Sequence, residues 1–220
     1  MNVLAIGAHP DDCEIGCGGA LALHTDAGDR VAICCATDGD AGGVDARPED
    51  LAATRRREAE VAADVIGAAE IRFLGLPDGR LAWAGYDLVA ALGRLVRELR
   101  PEVVYAHHPG DAHPDHEALG RAAIDACRRA GTPYFPELGP DPHRVDMLRL
   151  YEVWTPVCEV ATTIDISSVT ERKAAAIRCH ASQMGLVAFD EVALGLNRYR
   201  SVLLRTATHV EAFGTARTTW

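Results

Sequence analysis

Short apolar runs alternate with amphipathic stretches over the first 130 residues of the chain, and this alternation limits the folds that the chain can adopt. Apolar runs of this length are typical of buried strands, and the amphipathic stretches have the spacing of helices. The predicted strands are 2–7, 30–37, 71–75 and 102–108, and the predicted helices are 18–28, 47–67, 86–100 and 115–131. This order predicts an α/β fold with a mostly parallel, Rossmann-like sheet that carries helices on both faces.

The last third of the chain has a weaker pattern. Residues 131–147 are rich in Pro, Gly and Asp and predict a long loop, which we interpret as a specificity lid because long loops are usually functional. The later predictions are strands at 148–154 and 162–167, a helix opened by a capping box of Ser168 and Glu171, and helical sequence at 190–206. No repeat or break in composition divides the chain, so residues 1–220 are predicted to form a single domain.

Charge and cysteine content limit the partners and the compartment. The formal net charge is −10, so neither nucleic acid nor an anionic membrane is an expected partner, because binding to either needs a basic surface. No run of about 20 apolar residues is present to span a membrane. The start MNVLAIGAHPDD lacks the basic region of a signal peptide. With seven cysteines and no CxxC pair, the sequence predicts a cytoplasmic protein whose thiols are mostly free.

Polar clusters follow the first and the fourth predicted strand. AHPDD occupies residues 8–12, and HHPGDAHPDH occupies residues 107–116. Ligands of open α/β sheets bind beyond the carboxyl ends of the strands, so both clusters are expected at the site. The adjacent carboxylates of Asp11 and Asp12 repel each other unless a cation or a proton offsets the repulsion. A metal ion is the interpretation that uses both clusters.

His9, Asp12 and His116 make the kind of donor set that a catalytic zinc takes from a protein, with one position left open for water. Asp11 lies next to a ligand without being one, so it is the candidate general base toward water that the metal activates. His113 is a candidate to stabilise an oxyanion or to protonate a leaving amine, and it is also an alternative ligand.

The same residues have plainer interpretations. Either cluster alone fits a polar surface loop, but two such clusters at strand ends favour a shared site. Cys13 and Cys17 are alternative zinc ligands, although the nearby imidazoles and carboxylates make the better site. The GCGG stretch at 16–19 does not follow its strand directly, as a dinucleotide fingerprint should. Its small residues instead predict close backbone packing.

The motifs AHPDDCEIGCGG and HPDH resemble those of the PIG-L/LmbE-type zinc-dependent N-deacetylases, which remove acetyl from N-acetylglucosamine-containing small molecules. TRRREAEVAADVIG, LPDG, KAAAIRCHASQ and VEAF are similar to later segments of that family, so the resemblance covers most of the chain. It implies the same roles for the residues above, with Zn²⁺ as the cofactor. Fe²⁺ is open as a substitute, because the ligand types do not exclude it.

The resemblance also assigns residues outside the two clusters. It implies that Arg55 and Asp78 bind the sugar substrate. Without the resemblance, Arg55 would be interpreted as a solvent-exposed charged residue of a helix and Asp78 as a turn residue. His180 and Gln183 either line the site or serve in packing, and Glu14 is expected only to support the motif.

We therefore expect a metal-dependent hydrolase that removes acetyl from the N-acetylamino sugar part of a small molecule or secondary metabolite. An amidase of the same family that cleaves a larger conjugate is one alternative. A non-catalytic, metal-dependent sugar-binding module is another, although it has no need of Asp11 beside Asp12. The sequence leaves open the acceptor part of the substrate, a homo-oligomeric state, and the roles of His107 and His108.

Overall fold

The structure, a computed structural model, describes residues 1–43, 47–185 and 187–220. Within these residues the strands are β1 Asn2–Gly7, β2 Arg30–Thr37, β3 Glu70–Leu76, β4 Val103–His107, β5 Met147–Tyr151, β6 Thr162–Asp165 and β7 Val210–Thr215. The α-helices are α1 Asp12–Asp26, α2 Pro48–Ile66, α3 Gly85–Leu99, α4 Pro114–Ala130, α5 Thr170–Arg178, α6 Ala181–Met184 and α7 Phe189–Arg200. Short 3₁₀ turns lie at Leu81–Trp83, Pro136–Leu138 and Ser201–Leu203.

The strands of the described residues form one seven-stranded sheet in the order β3-β2-β1-β4-β5-β7-β6. The pairs from β3 to β5 are parallel, whereas β7 is antiparallel to both β5 and β6. The predicted α/β class with a mostly parallel sheet is therefore confirmed. The strand order changes direction at β1, which pairs with β2 on one side and β4 on the other. Open α/β sheets leave a ligand-binding crevice at such a switch point.

Side chains of β1 alternate between two apolar cores. Leu4 and Ile6 pack into a core that includes side chains of α3 and α4. Val3 and Ala5 pack into a core that includes side chains of α1, α2 and α5. Because successive strand residues point to opposite faces, both faces of the sheet are covered by helices, as predicted.

Helix α1 begins at Asp12, six residues before its predicted start at residue 18. Glycines in its first half lower the helical propensity there, but they let the helix lie close to its neighbours. A Cβ on Gly16 would overlap the ring of Tyr151, and one on Gly19 would come within 2.6 Å of Ile166. The close packing predicted for the GCGG stretch is confirmed.

We expect Gly16→Ala to lower the free energy of unfolding by about 1–3 kcal/mol, because an added methyl group overpacks this contact. The Tyr151 ring cannot yield easily, since it is fully buried and its hydroxyl donates to the carbonyl of Ile6 at 2.8 Å. Urea denaturation measures the change. Gly195→Ala is the matched control, because a Cβ there meets open space on a helix and alanine raises helical propensity. Equal effects of the two variants would contradict the packing argument.

The start of α5 differs from the prediction. Val169 occupies the cap position and no side chain caps the helix, so the predicted capping box of Ser168 and Glu171 is wrong. The reason is packing: Ile166 and Val169 are buried against Ala22 of α1 and fix where the chain turns into the helix.

The remaining C-terminal elements are shorter than predicted, and one was missed. β5 ends at Tyr151 instead of 154, because the amides of Trp154 and Thr155 donate to Oδ2 of Asp111 and leave the sheet. α7 ends at Arg200, where a 3₁₀ turn replaces the helix predicted to continue to 206. The strand β7 was not predicted.

Residues 131–147 lie against α3. Arg97 of that helix donates hydrogen bonds to the carbonyls of Ala130, Thr132 and Gly139, and these bonds hold the segment against the helix. None of residues 131–147, all of which the structure describes, lines the pocket described below. The interpretation of this loop as a lid is therefore wrong.

Two further expectations concern membrane-spanning helices and the state of the cysteines. No helix among the described residues combines the length and the apolar character needed to cross a lipid bilayer. The seven cysteines all belong to the described residues and are free thiols, as expected.

Candidate metal centre

Two neighbouring strands bring the polar clusters to one edge of the sheet. β1 and β4 pair in parallel, so their carboxyl ends meet at that edge. The chain leaves β1 through His9 into α1, and it leaves β4 through His113 into α4. The two clusters, predicted separately, thus lie side by side at the switch point of the sheet.

His9, Asp12 and His116 direct three donor groups at one another. Nδ1 of His9 lies 3.4 Å from Oδ2 of Asp12 and 3.3 Å from Nε2 of His116, and the same Nε2 lies 3.3 Å from Oδ1 of Asp12. A tetrahedral zinc with bonds of about 2.0–2.1 Å separates its ligand atoms by roughly 3.3 Å. The donor types and their spacing therefore fit a divalent metal ion. Ligand atoms of His9, His113 and His116 also lie within 4.8 Å of one another, which keeps His113 as an alternative ligand.

Each imidazole of the donor set has a carboxylate beside its other ring nitrogen. Oδ1 of Asp78 lies 3.0 Å from Nε2 of His9, and Oδ1 of Asp111 lies 3.1 Å from Nδ1 of His116. Partners of this kind fix the orientation of a metal-binding histidine. Asp111 had no predicted role, although its position between His108 and His113 in the second polar cluster could have indicated one. Asp78 was expected to meet the sugar; its Oδ2 already accepts from the amide of Ala41.

His107, which the sequence left without a role, lies behind Asp12. Its Nε2 is 3.0 Å from Oδ2 of Asp12, and its ring stacks on His116 with 3.9 Å between centroids. Burial lowers the pKa of His107 to about 4, so the ring is neutral at physiological pH. His108 is structural, because its Nε2 donates to the carbonyl of Thr155 at 2.6 Å.

Asp11 occupies the turn between β1 and α1 with a left-handed φ of 116°. Its Oδ2 lies 3.2 Å from Nη2 of Arg55. Burial raises the pKa of Asp11 to about 6; Arg55 opposes the rise, and the charge of Asp12 adds to it. A carboxyl group with this pKa exchanges its proton near neutral pH, as a general base must.

Arg55 is buried and holds the loop around Asp11. Its guanidinium donates to the carbonyl of Pro10 at 2.7 Å and to that of Gly39 at 3.1 Å. A Cβ on Gly39 or Gly42 would come within 2.5–2.7 Å of the guanidinium, so the glycines make room for it. The alternative of a solvated helix charge is wrong, since Arg55 is buried and lines the pocket.

His113 caps α4 with its side chain. Its Nδ1 accepts a hydrogen bond from the amide of Asp115 at 3.2 Å, so the ring proton is on Nε2. Burial and the neighbouring His116 and His9 lower the pKa of His113. The ring therefore offers a neutral Nε2–H at physiological pH.

A pocket of about 220 Å³ opens above this cluster. All seven residues proposed from the sequence line it: His9, Asp11, Asp12, Arg55, Asp78, His113 and His116. Gln183 also lines the pocket, together with Trp154 and Phe189, which the sequence did not indicate. His180 lies behind the pocket with Nε2 3.5 Å from Oε2 of Glu14.

Cys13 and Cys17 are not part of the cluster. Both thiols are buried in the apolar core. The hydrogen bond with Cys17 and burial raise the pKa of Cys13, and burial raises the pKa of Cys17. Neither thiol belongs to the candidate metal-binding groups of the described residues, so their interpretation as zinc ligands is wrong.

Comparison with known proteins decides the family. Residues 4–127, more than half of the chain, match the family model described as PIG-L: GlcNAc-PI de-N-acetylase. This chain belongs to the PIG-L family. The family expected from the sequence motifs is thereby confirmed.

Named relatives of this PIG-L protein include deacetylases. A diacetylchitobiose deacetylase of Thermococcus kodakarensis is 34% identical over 191 residues, which cover 83% of this chain and 70% of the relative. The structure of an N,N′-diacetylchitobiose deacetylase from Pyrococcus horikoshii has a TM-score of 0.88 at 28% identity, covering 99% of this chain and 84% of that chain.

A hydratase also shares the fold. The structure of GalB, the 4-carboxy-2-hydroxymuconate hydratase of Pseudomonas putida KT2440, has a TM-score of 0.83 at 25% identity, covering 98% of this chain and 96% of that chain. The fold alone thus does not choose between amide hydrolysis and hydration, and the choice must come from the site.

Proposed function

We propose that this PIG-L protein is a metal-dependent hydrolase that removes the acetyl group from an N-acetylglucosamine-type sugar of a small molecule. The observation that supports this most directly is the place of Asp11. Its buried carboxyl group, with a pKa of about 6, lies beside the donor set of His9, Asp12 and His116 on the wall of a pocket. A base next to a three-donor centre is the arrangement that water activation for amide hydrolysis requires.

Zn²⁺ is the metal we propose, held by His9, Asp12 and His116. Two imidazoles and one carboxylate suit Zn²⁺, and Fe²⁺ is compatible with the same ligands. A divalent cation in such a centre acts as a Lewis acid toward a carbonyl oxygen and makes water a usable nucleophile near neutral pH.

The chain's own residues move the protons. Asp11 takes a proton from the attacking water, while Arg55 holds its carboxylate in place. The water oxygen forms a bond to the acetyl carbon and the carbon–nitrogen bond breaks, which yields acetate and a free amine. His113 offers its Nε2–H to the tetrahedral oxyanion, and the proton taken by Asp11 is available for the departing nitrogen. Asp78 and Asp111 keep the two imidazoles aligned.

Acetate release tests the proposal. We would incubate zinc-reconstituted and chelator-treated protein with N-acetylglucosamine, N,N′-diacetylchitobiose and N-acetylglucosaminyl malate. Zinc-dependent release of acetate with an equal amount of free amine is the expected result. No release from any compound, together with zinc-dependent hydration of an unsaturated carboxylic acid such as the hydratase substrate, would overturn it. Sugar binding without turnover would favour the binding module, and release only from larger conjugates would favour the amidase.

The pH profile should report the contact between Arg55 and Asp11. Because the guanidinium lowers the pKa of Asp11, its removal in Arg55→Met should move the acidic limb of kcat/KM upward by roughly 1–3 pH units. Arg55→Lys should keep the limb closer to that of the unmodified protein. Arg56→Met is the matched control, since Arg56 pairs with Asp38 instead. An equal loss of activity by Arg55→Met at every pH would contradict this role.

A small-molecule sugar remains the proposed partner. The substrate contacts predicted for Arg55 and Asp78 stay predictions, as do the cytoplasmic location, the single-domain organisation of residues 1–220 and a homo-oligomeric state.

A further inference from the structure

The pocket carries an aromatic surface that the proposed chemistry does not use. Trp154 lines the pocket and yet is 51% exposed, which places its ring at the mouth. Phe189 packs edge-on against it, with 5.7 Å between ring centroids and an interplanar angle of 74°. Two aromatic rings that pack together in the lining of a pocket form an apolar surface on which a ligand can pack.

The backbone of Trp154 is fixed relative to the candidate metal centre. Its amide donates to Oδ2 of Asp111 at 2.9 Å, and Oδ1 of the same carboxylate holds His116. A single carboxylate, that of Asp111, therefore links the backbone of Trp154 to the proposed metal ligand His116. Such fixed aromatic surfaces lose little conformational entropy when a ligand packs on them.

The two sides of the pocket differ in polarity. Arg55, Asp78 and Gln183 provide polar groups on its wall, whereas Ile15, Trp154 and Phe189 provide apolar surface. A pyranose has the matching character, because its hydroxyl groups project from the rim of the ring and its C–H groups form an apolar face. The aromatic pair at the mouth suits the part of the substrate that lies beyond the reacting N-acetyl sugar.

The charge of the lining argues against an acidic group at that position. Among the described lining residues Arg55 is the one arginine or lysine, and its guanidinium is already engaged by Asp11 and two carbonyls. The chain as a whole carries a formal net charge of −10. A carboxylate or phosphate at the mouth would therefore have no free basic side chain of this lining to pair with.

We propose that Trp154 and Phe189 form an acceptor subsite, and that the group attached to the N-acetylamino sugar is a neutral ring with an apolar face, such as a second pyranose. This inference rests on the proposed function for the reacting sugar, and it adds the class of the acceptor. It predicts that a neutral disaccharide is a better substrate than an N-acetylglucosaminide of a dicarboxylic acid.

The test compares kcat/KM for N,N′-diacetylchitobiose with that for N-acetylglucosamine in zinc-reconstituted protein. Trp154→Ala should lower the ratio of the two values about tenfold, mainly through KM for the disaccharide, because a stacking contact of this kind contributes about one order of magnitude in affinity. The variant keeps the amide that Asp111 binds, so the metal centre should stay intact. Trp154→Phe should restore most of the ratio. Trp83→Ala removes another exposed tryptophan, 79% exposed and outside the pocket lining, and should leave the ratio unchanged.

Two further results would overturn the inference while the proposed function stands. One is acetate release by Trp154→Ala with an unaltered ratio of the two kcat/KM values. The other is a higher kcat/KM for N-acetylglucosaminyl malate than for the disaccharide in the unmodified protein.

Binding separates this inference from the proposed function. If no compound releases acetate, the proposed function fails, and calorimetric titration of the unmodified protein and Trp154→Ala with N,N′-diacetylchitobiose still tests the subsite. About tenfold weaker binding by the variant would support it, whereas equal binding or no binding to either protein would overturn it.

Discussion

Asp11→Asn is expected to lower kcat for acetate release by about 10²–10⁴-fold, the usual contribution of a positioned general base. The amide of asparagine cannot take the proton of the attacking water. The variant should still fold, because asparagine tolerates the positive φ that Asp11 adopts better than most residues do. It should also keep its zinc, since Asp11 lies outside the three-donor set. Steady-state kinetics and metal analysis of the same preparation measure both quantities.

Asp26→Asn is the matched control for this variant. It makes the same chemical change at the opposite end of α1, where the carboxylate is half exposed and pairs with Arg172. We expect its kcat to equal that of the unmodified protein. Full activity of Asp11→Asn would exclude Asp11 as the base, and loss of zinc from that variant would show that Asp11 belongs to the donor set.

His116→Ala is expected to lose the metal and, with it, the activity. Removal of Nε2 leaves two donors, whereas a catalytic zinc centre typically uses three from the protein. Asp111→Asn tests the same centre more gently, because the carboxylate only orients His116 through Nδ1. It should weaken metal affinity by about 10–100-fold.

Zinc content after dialysis against a metal buffer measures both changes. His209→Ala is the control, because His209 hydrogen-bonds Thr208 and lies outside the cluster. Unchanged zinc content of His116→Ala would contradict its assignment as a ligand, and His113, the alternative ligand, would be tested next.

The structural features that could be predicted from the sequence are local. β1 and β4 are buried on both faces, so each appears in the sequence as a continuous apolar run. The polar residues directly after each run could be recognised by position alone. The missed strand β7 pairs antiparallel between β5 and β6, outside the alternating strand–helix pattern that identified the others.

The parts that the sequence did not predict depend on distant contacts. Asp111 holds His116 on one side and the amide of Trp154 on the other, a contact across 43 residues. Arg55 reaches Asp11 across 44 residues, through space that Gly39 and Gly42 leave open. Residue spacing and hydrophobic pattern do not reveal contacts between residues so far apart in the chain. For this reason the contact of Arg55 with the candidate base Asp11 was not predicted, and Arg55 was assigned only to the substrate.

In the proposed function, one metal ion held by His9, Asp12 and His116 is required for removal of the acetyl group. The most direct test is to add zinc in steps to the metal-free protein and to measure acetate release at each step. We expect the rate to rise in proportion to bound zinc and to reach its maximum at one ion per chain. Full activity of the metal-free protein, or zinc binding at this stoichiometry without any gain in activity, would contradict it.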